Sequence, residues 1–256
     1  MAELSALVRY LDDELRTSEV PDHDAALNGL QLANSGRVSR IAAAVDFSAD
    51  TVAAAVREGA QLLVVHHGMF WRTHRLVGSA YERLRTAIAN DLAVYSSHIP
   101  LDMHPEFGNN ALLAKQLELR ANGAFGRYKG VEIGVMGASD VSTKSLFDRI
   151  VKFSASFKTT ARSTPFDENR KTNRWAIITG AGASMESLEE ARERGVDTLI
   201  VGEGSHHTAV DAMEDRLVVV YAGHYATETL GVCALAEHVS KRYDVSWAFV
   251  NVPTGL

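Results

Sequence analysis

Leu4, Leu7, Val8, Leu11 and Leu15 recur at helical spacing through the first twenty residues, with acidic side chains between them. That period predicts an amphipathic helix of the folded protein. A secretory leader would instead open on basic residues and continue into an apolar run. A turn-rich stretch, PDHDAALNGLQLANSG, comes next. Beyond it, apolar runs of about four to seven residues alternate with helical patterns and predict strands at 40–46, 61–66, 92–97, 131–137, 174–180, 197–202, 217–222 and 245–250. Such alternation is the signature of an α/β protein with largely parallel sheets, and the nearly continuous apolar runs imply helices covering both faces.

The pattern also repeats itself. AAAVREGAQLLVVHHG at 53–68 reads as helix, Gly, strand and polar end, and EEARERGVDTLIVGEG at 189–204 reads the same way, Gly59 matching Gly195. Further on, each half has an apolar strand ending in a histidine: VYSSHIPLD at 94–102 and VVYAGHYATE at 219–228. His98 thus aligns with His224 and Asp102 with Glu228, giving H-x-x-x-carboxylate twice. The repeat predicts two pseudo-duplicated α/β lobes, 1–122 and 123–256, with the three glycines of 121–131 marking the linker.

Composition narrows the chemistry. The chain of 256 residues has a formal net charge of −6, which argues against a protein whose affinity comes from phosphate backbones, so nucleic acid is not the expected partner. No stretch approaches the roughly 18 apolar residues of a membrane span, and no membrane partner is expected. The lone Cys233 excludes an internal disulfide and any multi-cysteine metal site, which fits a reducing cytoplasm and leaves His and carboxylates as available ligands. Cys233 itself, among Gly231, Val232, Ala234 and Leu235, reads as a small core residue.

Three His/carboxylate clusters fall at predicted carboxyl ends of strands, where α/β sheets place their ligands. His66 and His67 precede Gly68, whose freedom would let the backbone bend so that both imidazoles converge; alternatively one caps the strand and the other packs. His98 and Asp102 flank Pro100, and Asp102 could equally cap a helix. His224 and Glu228 share a face if a helix begins at 224, whereas a cap at Thr227 would explain Glu228 without metal. Three accidents of this kind are harder to accept than one metal site. Five or more N and O ligands exceed one tetrahedral ion, and two carboxylates can bridge a pair of ions about 3.5–4 Å apart, so the reading is a dinuclear centre. Arg72 and Arg75 are candidates for contact with an anionic substrate. His206 and His207 open a predicted helix and read as solvated. GAGAS at 180–184 is a poor match to any nucleotide fingerprint.

NGLQ at 28–31, VVHHGMFW at 64–71, HIPLDMHPEFGNN at 98–110 and AGHYATE with Gly231 following resemble the motifs of the NIF-three-like family, the GTP cyclohydrolase I type 2 homologues, along nearly the whole chain. The resemblance is to the short form, with no domain inserted between the halves. It implies two lobes around a dinuclear centre in the interlobe cleft, and a toroidal homohexamer. It places the metal ligands on His66, His67, Asp102, His224 and Glu228, with Glu228 bridging and His98 a near neighbour; His98 is the candidate for proton transfer in a hydrolytic reaction. The ions would be two divalent metals per chain, with zinc, iron, manganese and nickel all compatible. The expected activity is hydrolysis of a nucleotide-like or other anionic small molecule; the alternative is a non-enzymatic metal-binding or scaffold protein.

Overall fold

The computed structural model describes residues 1–71 and 76–255. The chain begins with β1 (Ala2–Glu3), α1 (Leu4–Glu14), β2 (Gly29–Leu32), β3 (Arg37–Val38), β4 (Arg40–Asp46), α2 (Ala49–Arg57), β5 (Leu62–His67), α3 (Ser79–Ala89), β6 (Ala93–Ser96) and α4 (Ile99–Asp102). It continues through α5 (Asn109–Gln116), β7 (Gly123–Tyr128), β8 (Val131–Ser142), α6 (Thr143–Ser156), β9 (Arg162–Ser163), β10 (Lys171–Ile178) and α7 (Met185–Glu193). The last elements are β11 (Thr198–Val201), α8 (His206–Glu214), β12 (Val218–Tyr221), α9 (His224–Thr227), α10 (Thr229–Tyr243) and β13 (Ser246–Phe249). Two compact units result: Met1–Leu101 with Gly231–Val252, and Asp102–Leu230 with Pro253–Leu256.

The first unit holds a five-stranded sheet of order β13-β4-β5-β6-β2, parallel except for β2. Ala42, Ala44, Leu63, Val65 and Val94 form one buried layer with Val52 and Ala55 of α2 and Ala87 of α3. The leucine stripe of α1 behaves as its period predicts, with Leu4, Leu7 and Leu11 buried. Tyr95 of β6 donates to Asp12 Oδ1 at 2.8 Å, and Tyr243 of α10 donates to the Ala6 carbonyl at 3.1 Å, so β6 and α10 are both tied to α1. Leu11 is fully buried, and Leu11→Ala should lower the unfolding free energy by about 3 kcal/mol through lost transfer energy and the cavity left behind, measured by urea titration.

The second unit holds a six-stranded sheet of order β7-β8-β10-β11-β12-β9. Only β10-β11 and β11-β12 pair in parallel; the strands outside them are antiparallel, so this sheet is mixed. Burial on both faces is explicit: Trp175, Ile177, Ile200, Val218 and Val220 pack with α5, α6 and α9 residues, while Ala176, Ile178, Leu199, Val201 and Val219 pack with α7 and α8. Successive strand residues alternate between these layers, as a period of two requires.

The duplication is visible in bond detail. Ser48 and Ser184 each close a capping box with the residue three further on, Thr51 and Ser187. Those hydroxyls reach back to the carbonyls of Asp46 (2.7 Å) and Gly182 (2.9 Å). Gly59 and Gly195 end the two helices at φ 69° and 65°, the left-handed conformation that favours glycine. The division expected at 122/123 differs from the observed units at two places. β13 pairs with β4 and so returns the C-terminal segment to the first sheet, whereas α5 packs on β8 and β10 and draws 102–122 into the second unit. The segment expected to be a linker is largely strand β7, paired with β8.

Candidate metal centre

In the first unit, His66 and His67 are the last two residues of β5, and His98 follows β6, the next strand of the sheet. Their candidate ligand nitrogens lie within 4.8 Å of one another. His66 is fully buried, its Nδ1–H donating to the Ser97 carbonyl at 2.9 Å. His67 donates from Nδ1 to Asp46 Oδ1 at 2.9 Å, and His98 from Nδ1 to Asp22 Oδ1 at 2.7 Å. Each ring therefore donates from Nδ1 to an oxygen acceptor, which in the neutral ring leaves the lone pair on Nε2, the arrangement of metal-ligating histidines. Trp71 stands edge-on to this group, 5.4 Å from the His67 ring and 4.8 Å from that of His98.

Both histidines lie inside β5, and His67 stays in the ladder opposite Asp46. Gly68 is needed for space more than for a bend: a Cβ there would lie 2.4 Å from the Gln31 amide and 2.6 Å from Ser96. Gln31 Oε1 accepts from Met69 N at 2.5 Å, and Asn28 Oδ1 accepts from His98 N at 2.7 Å, so the NGLQ segment holds the backbone after both site strands.

The second unit gathers its candidates at the carboxyl ends of β10, β11 and β12. α9 begins at His224, which puts Glu228 one turn on, and His224 Nε2 lies 3.1 Å from Glu228 Oε2. His224 Nδ1 pairs with Glu203 Oε1 at 2.7 Å. Thr227 is no N-cap; its hydroxyl donates to the His224 carbonyl and accepts from Gly180 N. Gly180 leaves room for the carboxylate, since a Cβ there would sit 2.2 Å from Glu228 Oε1. Asp102 ends α4, and its Oδ1 accepts from Asn109 Nδ2 at 2.8 Å and Thr179 Oγ1 at 3.3 Å, a role other than capping. Arg72 and Arg75 lie outside the described residues. His206 and His207 are exposed at the start of α8.

Burial opposes charge on His224, but the Glu228 and Glu203 carboxylates outweigh it and raise its pKa to about 9. Without metal the imidazolium holds the carboxylate; with metal its proton must leave. Cys233 is raised to about 12 by burial, which rules it out as a nucleophile at neutral pH. Burial would raise Asp22, yet the His98 hydrogen bond and charge, with Asn28 and the His23 amide, bring it down from 3.8 to about 2. Because folding lowers this pKa, the stabilisation is complete above the unfolded value near 4 and disappears as pH falls through about 2. The Asp22 side chain is only 7% exposed, and the contribution is on the order of 2 kcal/mol. Unfolding free energies measured from about pH 5 down to 2 should fall by about that much more in the wild type than in Asp22→Asn.

Three residues that sequence reasoning passed over orient the site: Asp22, Asp46 and Glu203. Asp46 and Glu203 could have been found, since both stand at carboxyl ends of strands beside a histidine-bearing strand. Glu203 even occupies the repeat position of His67. Asp22 is in an irregular loop, where no period points to it.

The family model Duf34/NIF3 (NGG1p interacting factor 3) matches residues 2–254. A Deinococcus radiodurans protein named GTP cyclohydrolase 1 type 2 homolog is 42% identical over 254 residues, covering 98% of this chain and 93% of its own. Two solved structures share the fold along the full length of both chains, each at 32% identity: ybgI, described as of unknown function, with a TM-score of 0.87, and TTHA1606 from Thermus thermophilus with 0.84. Match length and identity together with the shared fold lead to one conclusion: this chain belongs to the Duf34/NIF3 family.

Proposed function

We propose that the chain binds two divalent metal ions through His66, His67, Asp102, His224 and Glu228 and hydrolyses a nucleotide-like or other anionic small molecule. The observation that carries this reading is the common arrangement of His66, His67 and His224: Nδ1 on an oxygen acceptor, and a candidate ligand nitrogen within 4.8 Å of a ligand atom of a neighbouring histidine or carboxylate. An all N/O donor set of this kind suits zinc, iron, manganese or nickel. Bound there, such ions would supply Lewis acidity and lower the pKa of a water toward neutrality.

The chain's own residues do the rest. Asp46, Glu203 and the Ser97 carbonyl fix ring orientation, Gly180 keeps the space beside Glu228 open, and His98 takes the proton from the attacking water. Arg72 and Arg75 are assigned to the anionic part of the substrate. The name borne by the relatives makes GTP the first nucleotide to test, and assembly into a homohexamer is part of the same proposal.

The test begins with elemental analysis, expected to give about two ions per chain. A panel of nucleotides including GTP, phosphoesters and cyclic amides is then incubated with the loaded protein and read by mass spectrometry. Turnover should fall at least 10²-fold in His67→Ala. Two ions per chain with no member of the panel consumed would leave a metal-binding or scaffold role and end the hydrolase reading.

A further inference from the structure

Asp22 lies in the loop before β2, remote in sequence from the histidines, yet it is built into their support. Its Oδ1 accepts from His98 Nδ1 at 2.7 Å and His23 N at 2.6 Å; its Oδ2 accepts from Asn28 Nδ2 at 2.8 Å and Ile99 N at 2.9 Å. Asn28 closes the bracket by accepting from His98 N. One carboxylate thus grips the His98 ring while its neighbour grips the backbone of the same residue.

We propose that Asp22 is the positioning residue for His98, holding it in the Nδ1–H tautomer so that Nε2 accepts the proton at the site shared with His66 and His67. The proposal rests on the hydrolase reading above for His98's part in the reaction, though not for the tautomer. In the step itself, the attacking water gives a proton to Nε2, the ring becomes an imidazolium still bonded through Nδ1–H to Asp22, and Asp22 stays ionised. The buried carboxylate of a serine-protease triad fixes its imidazole by the same logic.

The geometry makes Asp22→Asn an informative change. An amide has one oxygen where the carboxylate has two, and here each oxygen faces two donors. The new NH2 must oppose either His23 N and His98, or Ile99 N and Asn28. The backbone amides cannot become acceptors, and turning the Asn28 amide would break its bond from His98 N. Of these four donors, only the imidazole can change from donor to acceptor at the same atom, by moving its proton to Nε2.

The measurement is ring ¹⁵N NMR of histidine-labelled, metal-free protein with neutral rings, His98 being assigned by comparison with His98→Gln. The wild type should show Nδ1 protonated and Nε2 bare; Asp22→Asn should show the reverse. Metal content should be equal in the two proteins, and for any panel member turned over kcat should fall about 10²-fold or more with KM little changed. A bare Nδ1 in the wild type, an unchanged tautomer in Asp22→Asn, or unchanged kcat overturns the proposal. Loss of metal in Asp22→Asn would make His98 a ligand instead and overturn it as well. If Asp22→Asn does not fold, the wild-type tautomer still decides. A wild type that binds no metal but shows the expected tautomer defeats the hydrolase reading alone, whereas normal metal content with the wrong tautomer defeats this one alone.

Discussion

Stripping the metal from the purified protein should lower its melting temperature by roughly 10 °C or more. The first unit holds three imidazoles with candidate ligand nitrogens within 4.8 Å, one of them on a fully buried residue, and the second unit buries Glu228 with its side chain 3% exposed. Groups so placed are stabilised when an ion occupies them and are a liability when it does not. An ion present at about a thousand times its Kd adds about 4 kcal/mol to the folded state. In a chain of this length each kcal/mol moves the midpoint by roughly 2–4 °C. Calorimetry with and without chelator checks the effect. The His66→Ala/His67→Ala double variant should melt at one temperature in both buffers. A protein carrying two counted ions whose midpoint does not move on chelation would show that these groups hold no metal of consequence.

Burial on both faces is what made the central strands legible. Val64 and Val65, or Ile177 and Ile178, are apolar in succession because helices cover both sides of the sheet, and such runs stand out in sequence. The short strands β2, β3, β7 and β9 gave no comparable signal, whereas the edge strand β13 did. β7 reads GAFGRY, and its glycines suggested a linker; in the fold, Gly126 sits at φ 80° where a Cβ would approach Ile178 Cδ1 to 2.7 Å, so close packing explains it. The site shows the same division. His66, His67, His98, His224 and Glu228 could be picked out as candidates because strand ends can be located from the apolar runs before them. Of the alternatives left open, the structure selects the helix that starts at His224 and sets Asp102 against Thr179 and Asn109. Asp22 was not legible, because its link to the site runs through hydrogen bonds to His98 and Ile99 far along the chain and no local period marks it.

Gly180→Ala is the second substitution with a large expected effect, and Gly195→Ala is its control. Both glycines have left-handed φ, 64° and 65°, so alanine costs about 1 kcal/mol at either from the backbone alone. They differ in surroundings. At Gly195 the nearest atom to a new Cβ is Arg174 Nη1 at 3.8 Å, an ordinary contact. At Gly180 the methyl group would lie 2.2 Å from Glu228 Oε1 and 3.3 Å from His224 Nε2, and the carboxylate must give way. Glu228 has little freedom to do so: it is buried, and Thr227 before it is bonded to Gly180 N. Gly195→Ala should therefore lose about 1 kcal/mol and keep full metal content, while Gly180→Ala should lose more and bind metal roughly 10–100-fold more weakly. Competition with a metal indicator dye, run beside urea unfolding of both variants, separates the two effects. Wild-type metal affinity in Gly180→Ala would mean that the space beside Glu228 serves packing alone, and would remove Glu228 from the proposed ligand set.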